Sequence, residues 1–223
     1  DWELPSQHRL LDDLRLLRGD VLETLALPAS DEPIHVYLFE TEKALDEYLQ
    51  RRHPGLPSRR AFFVKSDTRL AIFAFWGDRV AEDLRHETTH GYLHSVVPNL
   101  PLWLDEGLAE YFEVPRTAAG LNVPHAQQLL TLLMTRGWRP GMPRLESLTT
   151  LDRMTQEDYA ESWAWVPWML DTDPALRVLL QNYLASLRGQ AVYVPLSVVV
   201  KSHRPEAEQQ LCEYLYSLSL ARS

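Results

Sequence analysis

Every strand-like run in this chain lies before residue 77, and nearly everything after residue 78 reads as helix. The runs Ile34–Phe39 (IHVYLF), Ala61–Lys65 (AFFVK) and Leu70–Trp76 (LAIFAFW) are β-branched and aromatic, and the polar Ser66-Asp67-Thr68 between the last two marks a hairpin. Leucines at 10, 11, 14, 17, 22 and 25 predict an amphipathic helix over 6–26, ended by Pro28. Ala44–Gln50 predicts another helix, followed by the turn-rich His53-Pro54-Gly55-Leu56-Pro57. A helix then opens after Gly77-Asp78 and stops before Pro98, with further helical segments expected at about 104–112, 125–136, 156–171, 174–188 and 205–220. Pro167 should kink the 156–171 segment, because an interior proline removes a helix hydrogen bond. Strands first and helices afterwards is the α+β pattern. No internal repeat and no Gly/Ser-rich linker is found, so a single domain over 1–223 is expected, residues 1–115 carrying the sheet and 116–223 a helical subdomain.

Composition narrows the chemistry. With 223 residues, 45% of them hydrophobic and 24% charged, the chain can bury a real core. A formal charge of −9 offers no positive field to phosphate backbones, which argues against a nucleic-acid partner. The single cysteine, Cys212, excludes an intrachain disulfide and thiolate zinc sites, so any metal must be held by His and carboxylate side chains. The longest nearly apolar run, Ala191–Val200, has ten residues against the roughly 20 a membrane helix needs, so no integral membrane segment is expected.

Residues 86–90 read His-Glu-Thr-Thr-His. Positions four apart on a helix differ by about 400°, so His86 and His90 stand one turn apart on one face, where a tetrahedral ion fits between them. Glu87 flanks that face and is placed to act as a general base on water rather than as a ligand. A second short helix, Trp103-Leu104-Asp105-Glu106-Gly107-Leu108-Ala109-Glu110-Tyr111, offers a third ligand in Glu106 or Glu110. Two imidazoles and one carboxylate leave a fourth position open, which is the catalytic zinc arrangement.

His86-Glu87-x-x-His90 followed after fifteen residues by Trp-Leu-x-Glu-Gly at 103–107 resembles the gluzincin metallopeptidases, the class of thermolysin and aminopeptidase N. Within it the chain looks most like bacterial peptidase-MA-like domains, strongly over 84–113, more faintly over 156–171 and only architecturally elsewhere. The resemblance implies a zincin-like fold, with a small twisted N-terminal sheet, an active-site helix and a mainly helical C-terminal part. It implies one Zn2+ on His86, His90 and Glu106, with Glu87 as the base that activates the attacking water. Glu110, one turn past Glu106, would accept a hydrogen bond from the non-ligating nitrogen of His86 or His90. Tyr159, opening Tyr-Ala-Glu-Ser, resembles the helix start that carries the oxyanion-stabilising tyrosine in the aminopeptidase branch, with Tyr92 and Tyr111 as competitors.

Phe73, Ala74 and Phe75 are read as part of an edge strand along the cleft, able to pair with an extended substrate backbone. That strand lacks the acidic residue with which aminopeptidases grip the substrate's amino group, which argues against a strict aminopeptidase. His94 is set aside as a third histidine ligand, because a metzincin would place it at 96, where valine stands. The Arg51, Arg52, His53, Arg59, Arg60 cluster reads as a solvated basic loop, and Trp163, Trp165 and Trp168 as core. The expected function is zinc-dependent hydrolysis of a peptide or protein substrate. Alternatives are a non-catalytic binding module on the same fold, and a zinc hydrolase of a non-peptide amide or ester. Many of the resembled bacterial proteins carry signal peptides, so the resemblance makes export one expectation, while a cytosolic home suits one cysteine equally.

Overall fold

The computed structural model describes residues 8–54, 59–66, 69–189 and 194–220. Outside them lie Ser6 and Gln7 of the first expected helix, Gly55-Leu56-Pro57 of the expected loop, the Asp67-Thr68 turn and Ala191-Val192-Tyr193 of the apolar run. The chain is α+β, and its contacts divide it into two compact units, Asp1–Val96 and Val97–Ser223. The division falls between the two motif helices rather than at residue 115, so the Trp103–Tyr111 segment belongs with the helical part.

The first unit runs α1 (His8–Thr24), β1 (Ile34–Phe39), α2 (Glu42–Arg52), β2 (Ala61–Ser66), β3 (Arg69–Phe75) and α3 (Val80–Val96). Its sheet has the order β1-β3-β2, with β1 parallel and β2 antiparallel to β3. This corrects the expectation for Phe73, Ala74 and Phe75: β3 is the central strand, Phe73 pairing with Tyr37 on one side and Phe62 on the other, Ala74 with Leu38 and Ala61, and Phe75 with Phe39. An interior strand has its ladder groups already bonded and cannot take up a substrate backbone. Side chains alternate across it. Ala71 and Phe73 join Phe62, Leu45 and Leu49 under α2, while α3 covers the opposite face. Thr41 caps α2, its side chain accepting from Ala44 N at 3.2 Å.

α3 is tied down along its length. Arg60 makes a forked pair with Asp83 in the first turn, Nη2 to Oδ1 at 2.7 Å. Arg85 Nη1 donates to Asp13 Oδ2 at 3.0 Å, and the Tyr92 hydroxyl donates to the Leu14 carbonyl at 3.1 Å, fixing α1 on α3. A Cβ at Gly91 would meet Ile34 Cδ1 at 2.8 Å, so α3 passes close to the start of β1 just after His90. The basic cluster is accordingly partnered in part, with Arg60 on Asp83 and Arg51 on Glu47 at 3.4 Å.

The second unit consists of α4 (Leu102–Glu113), α5 (Val123–Arg136), α6 (Met142–Glu146), α7 (Gln156–Asp171), α8 (Pro174–Leu187), α9 (Leu196–His203) and α10 (Ala207–Leu220). α7 is its axis, buried on every side from Ala160 to Leu170 and packed against α4, α5, α8 and α10. A capping box of Thr155 and Asp158 starts it, and the helix runs through Pro167 without interruption. Arg144 Nη2 bonds the wholly buried Glu161 at 2.7 Å, and Gly141 N donates to the other carboxylate oxygen at 2.6 Å. Burial raises the Glu161 carboxyl, and these donors draw it back toward the charged form. Trp163, Trp165 and Trp168 are core residues, Trp163 Nε1 donating to the Gly120 carbonyl at 2.9 Å. Among the described residues no helix is long and apolar enough to cross a membrane.

Candidate metal centre

α3 delivers the histidine pair as the helical spacing requires. His86 Nε2 and His90 Nε2 face one another at 3.2 Å, with the rings edge-on at 77° and centroids 4.9 Å apart. Two nitrogens each about 2.0–2.1 Å from a tetrahedral ion stand about 3.3 Å apart, so the pair fits zinc without rearrangement. The same separation serves an Nε2–H···Nε2 hydrogen bond when one ring carries the proton. His90 is 6% exposed and His86 partly exposed, an asymmetry suited to an ion held at the rim of a buried layer. Glu87 is half-buried on α3, about 100° around the helix from His86 and about 60° from His90.

β2 contributes a residue that the sequence reading passed over. The Phe63 ring lies nearly parallel to His90, at 22° and 6.2 Å between centroids, and to His94, at 17° and 5.5 Å. Phe63 thus packs against both imidazoles. The signal was the alternation of β2: Phe62 and Val64 turn to the α2 side, which leaves Phe63 for α3.

In the second unit, Glu106, Glu110 and Glu113 follow one stripe of α4 at helical spacing. Glu106 is 6% exposed. Within the second unit the Glu110 Oε2 accepts from His125 Nε2 at 2.8 Å and from Asn122 Nδ2 at 3.2 Å, and Asn122 Nδ2 also reaches Glu113 Oε1 at 3.1 Å. Like charges three or four apart on a helix repel, and Asn122 and His125 offset that repulsion. Asn122 caps α5, accepting from His125 N at 3.3 Å, and the cap is what brings the imidazole to Glu110.

The three tyrosines separate. Tyr159 is half-buried in the first turn of α7. Tyr92 projects about 200–240° around α3 from the histidine pair and is bound to α1, and burial raises its phenol, with Arg18 partly offsetting the shift. Tyr111 donates to Asp171, with both carboxylate oxygens at 3.4 Å; burial and the Asp171 charge push its phenol up, so it remains a neutral donor within that pair.

The described residues therefore include His and Glu groups able to hold a metal ion. No protein-family model matches the chain, and no curated protein matches it in sequence.

Proposed function

We propose that the protein is a zinc-dependent peptidase of the gluzincin type on a zincin-like fold, with His86, His90 and Glu106 as the ligands. The observation that carries this reading is the facing Nε2 pair at 3.2 Å, a tetrahedral bite held by a helix anchored at three points. Glu106 supports it as a carboxylate removed from solvent, the third ligand type that a chain with one cysteine can supply. Zinc, when bound, would supply Lewis acidity to the carbonyl under attack and to the attacking water. Glu87 takes the proton from that water and returns it to the departing amine. Tyr159 donates to the developing oxyanion. If a substrate backbone pairs with the sheet, β2 is the favoured edge, because it carries Phe63 against His90.

Metal analysis of the purified full chain tests the ligand set. Wild type is expected to hold one equivalent of zinc, and His86→Ala and Glu106→Ala none, while Glu110→Ala retains it because Glu110 is engaged with His125 and Asn122. Retention in Glu106→Ala together with loss in Glu110→Ala would exchange their roles. Cleavage of a peptide library by the zinc-loaded protein, against an equal set of non-peptide amides and esters, tests the substrate class. No cleavage of either set would favour the binding-module alternative.

A further inference from the structure

We propose that Phe63 is a positioning residue for the histidine pair, its ring holding the His90 imidazole in the orientation that presents Nε2 to a metal ion. The inference rests on the zinc reading above and deepens it. Phe63 and Lys65 are two apart on one face of β2, and His90 and His94 are four apart on one stripe of α3. These pairs meet: Phe63 lies along both imidazoles, and Lys65 Nζ donates to the His94 carbonyl at 3.5 Å. The edge strand thus grips α3 at the histidine-bearing turns.

A histidine ring turns readily about its terminal torsion, and a rotation of a few tens of degrees swings the ring plane and carries Nε2 away from the partner imidazole. Phe63 presents a flat surface to the face of the His90 ring, while His86 meets it edge-on at 77°. Offset, near-parallel rings at these distances attract, so the contact favours one plane for the imidazole before any ion arrives. Phe63 is only partly buried and stands apart from the cluster of Leu45, Leu49, Phe62, Ala71 and Phe73 that fills the other face of the sheet.

The test is zinc affinity of the full chain, measured by competition with a chromogenic chelator, with circular dichroism of the metal-free proteins to check folding. Phe63→Leu, which keeps apolar bulk but removes the ring, is expected to bind zinc roughly three- to tenfold more weakly at unchanged helicity. Phe63→Tyr is expected to restore affinity to within about twofold. In cobalt-loaded protein the visible ligand-field bands should shift in Phe63→Leu and return in Phe63→Tyr. Equal affinity in wild type and Phe63→Leu, or equal weakness in the Leu and Tyr variants, would overturn the inference and leave the zinc site standing. Unfolding of Phe63→Leu would also overturn it, by making Phe63 a core residue. Absence of zinc binding in wild type would instead remove the proposed function, and the inference with it.

Discussion

Glu87→Gln is expected to lower kcat/KM for peptide hydrolysis by about a hundred- to ten-thousandfold while one equivalent of zinc stays bound. The size and shape of the side chain are kept, and only its capacity to accept a proton is lost. Arg60–Asp83, Arg85–Asp13 and Tyr92–Leu14 hold α3 through other residues. Glu87 flanks the histidine stripe about 100° from His86, which on the zinc reading proposed above would suit contact with the water rather than with the ion. Zinc content and turnover therefore separate in this variant. Hydrolysis at the wild-type rate with zinc bound would sink the mechanism, and loss of zinc would make Glu87 a ligand.

The parts of this architecture that the sequence shows plainly are those governed by local pattern. Ile34–Phe39 and Gln156–Asp171 begin and end where composition places them, because a β-branched run and a long apolar period each dictate a backbone state without outside help. The His86–His90 pair is legible for the same reason, since a four-residue spacing on a helix admits only one arrangement. What depends on the rest of the fold was not. α6 has five residues, too few to display a period. α9 contains Val198-Val199-Val200, three β-branched residues of low helix propensity, yet it forms a helix with Glu146 bonding Ser197 N at 2.9 Å in its first turn.

The central place of β3 does leave a trace in the sequence. Leu70–Phe75 contains no polar residue and is buried on both faces almost throughout, whereas β1 carries His35 and β2 ends in Lys65 and Ser66. Polar residues belong on edges, and an unbroken apolar run belongs in the middle. Glu110 and His125 are fifteen residues apart, and only the docking of the α5 cap against α4 makes them partners.

Gly107→Ala is expected to destabilise the second unit by more than about 3 kcal/mol, beyond the usual cost of overpacking a core. A Cβ at 107 would stand 2.4 Å from the Ser162 carbonyl oxygen and 2.7 Å from its carbon, and both belong to the backbone of α7. A side chain in the way could rotate aside. A buried helix backbone can yield only by moving α4 off α7, which would open the layer that buries Leu104, Leu108 and Trp163. Gly19→Ala supplies the control, because nothing lies within 4 Å of its added methyl group in α1 and the exchange should stabilise by about 0.5–1 kcal/mol. Urea unfolding of the two variants followed by tryptophan fluorescence should move the midpoint in opposite directions. Because Glu106 precedes Gly107 on the same helix, zinc affinity at low denaturant should fall in Gly107→Ala and stay level in Gly19→Ala. If Gly107→Ala unfolds at the wild-type midpoint, the close approach of α4 and α7 is wrong, and the Glu-Gly pair loses its structural explanation.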